Sequence, residues 1–329
     1  MTRFNTMQEF LTLGRRALLW GALLVSAQGF AQSAASNCPP QPAEPTRESI
    51  QALAKAAKDR GFLWKIEKDG KASHLYGSIH LGKQAWSVPG PKTLEALVAS
   101  DVIALELDIL DPAIQAQMAD PAKFGIKFFD LPVPLKNRMA AAAQKVCAPM
   151  EQFAALHPVM QLMTVTLLDA RFSALEISYG SEIFIAGFAR GLQKPVESLE
   201  SVELQLRLLM DGEPKETIEA IDHSITLLEN GKSRTVIDRM TNAWANGNLN
   251  ELQDYQKWCE CVDSDAERKA LQSLNDERNP GLAAGIDKLM RSGKSVFAAV
   301  GALHMTGAKA LPKLLAEMGY KVERVAFQP

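Results

Sequence analysis

Apolar residues recur along this chain with two periods, and the switches between them mark out its elements. Arg47 to Arg60 carries apolar positions at helical spacing and stops at Gly61. Phe62 to Lys68 and Ser73 to Ile79 read as two strands joined through Asp69-Gly70, a tight-hairpin signal. Pro91 opens a helix that runs to about Ser100. Asp101 to Asp108 follows, a β-branched, apolar run of the kind covered on both faces of a sheet, extending to about Leu110. From about Leu135 to Arg291 the pattern is helical, with Glu151 to Ala170, Glu213 to Asn230 and Leu249 to Trp258 carrying apolar residues three and four apart. Pro195 to Leu199 interrupts it as a short strand. Ser295 to Val300 returns to strand, Ala308 to Met318 predicts a helix closed by Gly319, and Lys321 to Ala326 is the last strand. Strands at both ends with helices between predict an α/β fold. Its mixed central sheet comes from N- and C-terminal strand-helix-strand units, with a large helical insertion at about 135–291.

Residues 1–31 carry the parts of a secretory signal: basic Arg15 and Arg16, an apolar run from Ala17 to Ala27, and small residues at Gly29 and Ala31. That run is too short for a membrane span, which needs about 20 residues. The expectation is export, to the periplasm or outside the cell, with no stable membrane span after cleavage. Arg15-Arg16 matches a twin-arginine signal only loosely. Residues 32–45, rich in Pro and Ala, read as a flexible leader, and 46–329 as a single domain. Removing the signal makes the chain more acidic than its formal net charge of −2, which argues against a nucleic-acid partner. Export would also place Cys38, Cys147, Cys259 and Cys261 where disulfides persist. Spacing does not choose among the three complete pairings, although a bond across Cys259-Glu260-Cys261 is sterically awkward.

The candidate chemistry lies in a pattern that occurs twice. Leu75-Tyr-Gly-Ser-Ile-His-Leu-Gly82 and Ala299-Val-Gly-Ala-Leu-His-Met-Thr-Gly307 each place Gly-x-x-His at the end of a strand, ahead of an apolar residue and then a glycine before a helix. This looks like a distant internal duplication. Ligands bind at the carboxyl ends of strands in α/β sheets, so His80 and His304 are expected to face one crevice. Glu106 sits in the apolar run between Leu105 and Leu107, where a carboxylate is costly unless it is paired or metal-bound. Asp108, two residues on, would point to the same side. Two imidazoles and a carboxylate suffice to hold a divalent metal that activates water. The plainer alternative is a salt bridge from Glu106 to Arg278.

With these residues in order, the chain resembles the TraB/GumN family, which also includes the Tiki metalloproteases. The likeness runs from Leu63-Trp64-Lys65-Ile66 through Gly77 to His80, Ala104-Leu-Glu106-Leu-Asp108, Glu277-Arg278-Asn279 and Gly301 to His304, and ends at Gly319-Tyr320. It implies a fold similar to the erythromycin-esterase and haem-binding ChaN-like proteins, with His80, Glu106, Arg278 and His304 converging. It also implies metal-dependent peptidase activity, as in the animal Tiki members, and so a peptide or protein substrate. On this reading His80 and His304 hold the metal, Glu106 is a third ligand or the base, and Arg278 stabilises charge on the cleaved carbonyl. One departure is Gly180-Ser181-Glu182, where relatives commonly carry an aspartate.

His74, His157 and His223 lack such a context and read as structural or surface residues. There is no His-Glu-x-x-His, no Gly-x-Ser-x-Gly and no phosphate-cradling glycine loop. Two other functions compete: a periplasmic haem- or iron-binding protein without catalysis, and a helical interaction protein with an inactive site. A nitrogen and oxygen donor set suits manganese, cobalt, zinc or iron.

Overall fold

The Asp69-Gly70 turn sets the start of the sheet. Both residues adopt positive φ, 52° and 75°, the left-handed pair that a two-residue hairpin needs. They join β1 (Phe62–Lys68) to β2 (Lys71–Ser78) as an antiparallel pair. β3 (Val102–Leu105), β4 (Val196–Ser198), β5 (Val296–Gly301) and β6 (Lys321–Arg324) complete a sheet of order β4-β3-β5-β2-β1-β6. β4, β3, β5 and β2 run parallel, while β1 is antiparallel to both β2 and β6. The mixed sheet is as expected. The structure, a computed structural model, describes residues 37–43, 46–260, 262 and 265–327. The signal-like residues 1–31 lie outside these, as does Cys261.

Parallel neighbours require crossovers, and helices supply them. Every residue of β3 and β5 is buried, as befits central strands covered on both faces. The main core gathers Phe62, Leu75, Ile103, Phe297 and Leu282 on the sheet. A second cluster, with Leu135, Met139, Val165, Ile221 and Ile225, belongs to the helices alone. Leu107, Ile126, Val202, Leu206 and Met210 form a third near the end of β3. Helical structure starts before Leu135, at Pro112–Met118, and β4 divides it into two crossovers, one reached from β3 and one leading to β5.

Three elements differ most from their sequence reading, beyond shorter helices at Arg47–Ala56 and Leu311–Glu317. The strand expected to reach Leu110 ends at Leu105. Asp108 donates its amide to Ser198 Oγ at 3.0 Å, and the Asp111 amide turns back to the Asp108 carbonyl at 2.8 Å. The helix expected over Glu151 to Ala170 is Pro158–Ala170, because the residue before a proline avoids helical torsions and His157 sits at φ −54°, ψ 141°. Leu249 to Trp258 forms two short helices, Leu249–Gln253 and Tyr255–Trp258.

The described part of the leader is tied down. Cys38 bonds to Cys147 across a sequence separation of 109 residues, and Tyr179 Oη donates to the Ala43 carbonyl at 3.1 Å. Cys259 is also disulfide-bonded. Closing so long a loop restricts the unfolded chain, an effect worth about 4.7 kcal/mol by loop-closure entropy. Cys147→Ser should therefore lower the urea midpoint by a corresponding amount while leaving the folded spectrum intact. An unchanged midpoint would mean that the bond adds no stability.

Candidate metal centre

The parallel register brings four strand ends to one edge of the sheet, and each delivers a polar side chain just beyond its last residue. His80 follows β2, Glu106 follows β3, Glu200 follows β4, and His304 follows β5 in the 3-10 turn Ala302–Met305. The two Gly-x-x-His motifs thus lie on adjacent parallel strands. They are not in register: Gly77 lies opposite Val300, and Ser78 opposite Gly301. Side chains alternate between faces, so this one-residue offset sends the two glycines to opposite faces.

Each glycine consequently makes room for something different. A Cβ on Gly301 would lie 3.1 Å from Glu106 Oε1, 3.7 Å from His304 Cδ2 and 3.8 Å from His80 Nε2, so these three side chains meet over the bare backbone. A Cβ on Gly77 would meet the Phe62 ring at 3.1 Å and Met305 at 3.2 Å, so that glycine serves the apolar core. The histidines differ likewise: the His80 side chain is 64% exposed and that of His304 only 5%.

Glu106 is buried, and burial alone would push its carboxyl up. The charges of His80 and Arg278 and the Gly301 amide act against that, and together they hold it well below the usual carboxylate range. The Gly301 N–H donates to Glu106 Oε1 at 2.7 Å, and Arg278 Nη2 donates to Glu106 Oε2. Arg278 is engaged further. Its Nε donates to Glu200 Oε1 at 2.9 Å, its Nη2 to Glu200 Oε2, and its Nη1 to the Leu274 carbonyl at 2.9 Å. A guanidinium has five N–H donors, so most of Arg278 is committed to clamping Glu106 and Glu200. Burial opposes its charge, yet Glu200 and Glu106 raise its pKa. The salt bridge weighed from sequence and the convergence of the site residues are therefore the same structure.

His304 is held by Asn279. The Asn279 Nδ2 donates to the carbonyls of His304 and Lys309 at 3.2 and 2.7 Å, which leaves its Oδ1 to accept from His304 Nδ1 at 2.5 Å. Burial holds the His304 ring below its usual pKa, so it is neutral and its Nε2 presents a lone pair. That nitrogen stands 3.9 Å from Glu106 Oε1. His80 is bound on its other side: its Nδ1 lies 2.6 Å from Glu182 Oε2, while Ser78 Oγ donates to Glu182 Oε1 at 2.6 Å. Glu182 is the main cause that pushes His80 up to about 9.

His80, Glu106 and Glu182 each offer a ligand atom, all within 4.8 Å of one another, and together they could hold a metal ion. The donors are nitrogen and oxygen, as expected. His80, Glu106, Arg278 and His304 come together; Asp108 does not. Past the end of β3 the alternation of faces lapses, and Asp108 pairs instead with Arg190 at 2.5 Å. His157 caps a helix, and His223 bonds Glu267 at 2.6 Å. Glu200 is not among the sequence candidates, and Glu182 enters the sequence reading only as a departure from the resemblance. Glu200 carried the same signal as Glu106, an acid just past a short strand. Glu182 follows no strand, and only folding brings it to His80.

Gly77→Ala and Gly301→Ala should thus fail differently. The first should destabilise the fold by about 1–3 kcal/mol through overpacking. The second should displace Glu106 and weaken metal uptake, which metal-binding titration would register. Equal stability losses with unchanged metal uptake would contradict the division of roles.

The model of the TraB/PrgY/gumN family matches residues 62–324. No curated protein and no solved structure matches the chain. The matched segment begins with β1, ends with β6, and takes in all four strand ends that build the cluster. This chain belongs to the TraB/PrgY/gumN family.

Proposed function

We propose that this chain is an exported, metal-dependent hydrolase that cleaves peptide bonds in a peptide or protein substrate. The observation that carries the reading is the meeting of three ligand atoms over Gly301: the neutral His304 Nε2, Glu106 Oε1 and His80 Nε2, the last with a proton that a metal would displace. His304 Nε2 and Glu106 Oε1 are acceptors turned toward one another, which calls for a cation between them. The 3.9 Å from His304 Nε2 to Glu106 Oε1 is near the roughly 3.4 Å edge of a tetrahedron with bonds of about 2.1 Å. Manganese, cobalt, zinc and iron all suit such donors.

A bound divalent ion would supply Lewis acidity and an activated water. The chain's own residues prepare the place for it. Asn279 keeps a proton on His304 Nδ1 and so keeps Nε2 bare. Arg278 and the Gly301 amide keep Glu106 ionised and aimed. Arg278 has little left for the carbonyl-stabilising role that the resemblance implies, so we assign it to holding Glu106. The exposed His80 marks the open side, where a substrate carbonyl would approach.

Carboxylates crowd both histidines, which weighs against the haem-binding alternative, since haem needs an apolar slot. Export is supported by the signal-like residues 1–31 and by the Cys38–Cys147 bond, of a kind that persists in oxidising compartments. No described helix is long and apolar enough to cross a membrane. The acidic balance weighs against a nucleic-acid partner.

Protein purified without chelator should contain a divalent metal and cleave unstructured peptides. His80→Ala, Glu106→Ala and His304→Ala should each lower activity by at least about 100-fold and lose metal together. A metal-free, inactive protein that no divalent ion restores would end the proposal, as would haem uptake through one histidine.

Proton competition gives a second check. The folded pKa of His80 is raised from 6.5 to about 9, so its pairing with Glu182 contributes stability below about pH 6.5 and loses it as pH climbs through about 9. The exposed ring makes that contribution small. Metal binding must displace the proton, so apparent affinity should rise about tenfold per pH unit up to about pH 9 and then level off. Calorimetric titrations between pH 6 and 8 would show it, and a pH-independent affinity would remove His80 from the ligand set.

A further inference from the structure

Glu182 lies close enough to the cluster to pass for a ligand, yet its surroundings assign it another task. Both of its oxygens are already engaged, Oε1 by the Ser78 hydroxyl and Oε2 by His80 Nδ1, each at 2.6 Å. Ser78 is the last residue of β2 and almost fully buried, so the hydroxyl that holds Glu182 is itself fixed by the sheet. The opposite edge of the His80 ring, Nε2, faces Gly301, where Glu106 and His304 meet. Glu182 thus reaches His80 through Nδ1, the nitrogen other than the one nearest Gly301, although an oxygen of Glu182 lies within 4.8 Å of one of Glu106.

The backbone enforces this placement. Glu182 lies in the first turn of the helix Ser181–Gly191, and the residues before it are stitched to the His80 loop. The Ser181 amide donates to the Ile79 carbonyl at 2.9 Å, and the Ile79 amide donates to Ser181 Oγ at 2.9 Å. Gly82 and Glu176 exchange backbone bonds at 3.1 and 2.8 Å. A Cβ on Gly180 would stand 2.4 Å from the His80 carbonyl, so the two segments approach as closely as a glycine allows. This clasp fixes the distance between Glu182 and His80 independently of any ion.

We infer that Glu182, held by Ser78, is a positioning residue: it binds the Nδ1 proton of His80 and turns Nε2 toward Glu106 and His304, without itself joining the ligands. The arrangement is a carboxylate–histidine pair behind a metal site, which sets ring orientation and tautomer and raises basicity. It rests on the metal-centre reading above, with His80, Glu106 and His304 as ligands. Ser78 extends the chain of support one step further, from sheet to hydroxyl to carboxylate to imidazole.

Cobalt(II) is the probe, added to wild type, Glu182→Ala, Glu182→Gln and Ser78→Ala, with circular dichroism confirming that each is folded. Glu182→Ala should bind cobalt about 10- to 100-fold more weakly. Its saturated visible spectrum should keep the position and intensity of the wild-type bands, because the donor set is unchanged. Glu182→Gln, whose amide oxygen still accepts from Nδ1, should recover much of the loss, and Ser78→Ala should lose less than Glu182→Ala. A saturated Glu182→Ala spectrum with altered bands, or a glutamine variant as weak as the alanine one, would make Glu182 a ligand and overturn the inference. A second readout needs no metal: at pH 10, nitrogen-15 NMR should show neutral His80 protonated at Nδ1 in wild type and without that preference in Glu182→Ala. Protonation at Nε2 in wild type would overturn the inference, whereas failure of the wild type to take up cobalt would count against the metal-centre reading instead.

Discussion

A negative charge buried just past the end of β3 is the constraint on which the rest of this structure turns. Glu106 lies where water cannot reach it freely, and a lone carboxylate there would be protonated or would unfold its surroundings. The fold answers with the Gly301 amide at the end of β5 and the Arg278 guanidinium ahead of the helix Asn279–Arg291, both donating to it, and with the charge of the His80 ring that follows β2. Arg278 in turn needs a second acid, and Glu200 supplies it from the end of β4. One buried charge thus accounts for the polar residue beyond each of the four parallel strands.

The sheet makes that convergence possible. Parallel strands present their carboxyl ends together, and β2 pairs with β5 so that the two histidine-bearing ends are neighbours. The helical crossovers have their own apolar cluster and need little from the site, but they deliver Glu182, Glu200 and Arg278 to it. Supporting contacts surround each inward-facing group: Asn279 behind His304, Glu182 and Ser78 behind His80, Arg278 and Gly301 behind Glu106. A cluster supported in this way is rigid before any ligand arrives, which is what a metal centre requires.

Much of the fold was legible because it rests on local patterns. The alternation and apolar runs of Phe62 to Lys68 and Ser295 to Val300, the turn at Asp69-Gly70 and the helix opening at Pro91 all appear close to where the sequence placed them. Boundaries went astray where a tertiary bond intervened, as at Asp108, whose amide is taken by Ser198 from another strand. His80, Glu106, Arg278 and His304 were legible as candidates because polar residues at strand ends and inside an apolar run violate the surrounding pattern. Glu200 was visible by the same rule and was passed over. Glu182 could not be found that way, since nothing local distinguishes it from any acid in the first turn of a helix.

The sequence by itself determined the family, the alternation of strands and helices, and the four polar positions that stand out against their neighbours, because these depend on residue type and spacing alone. Only the tertiary structure decided how they are used. The one-residue offset between β2 and β5 sent Gly77 to the core and Gly301 to the site, although the two motifs read alike. Arg278 became a clamp between two acids, and Glu182 came to stand behind His80. Register, facing and partner choice are set by contacts between residues far apart in the chain, and no local period records them.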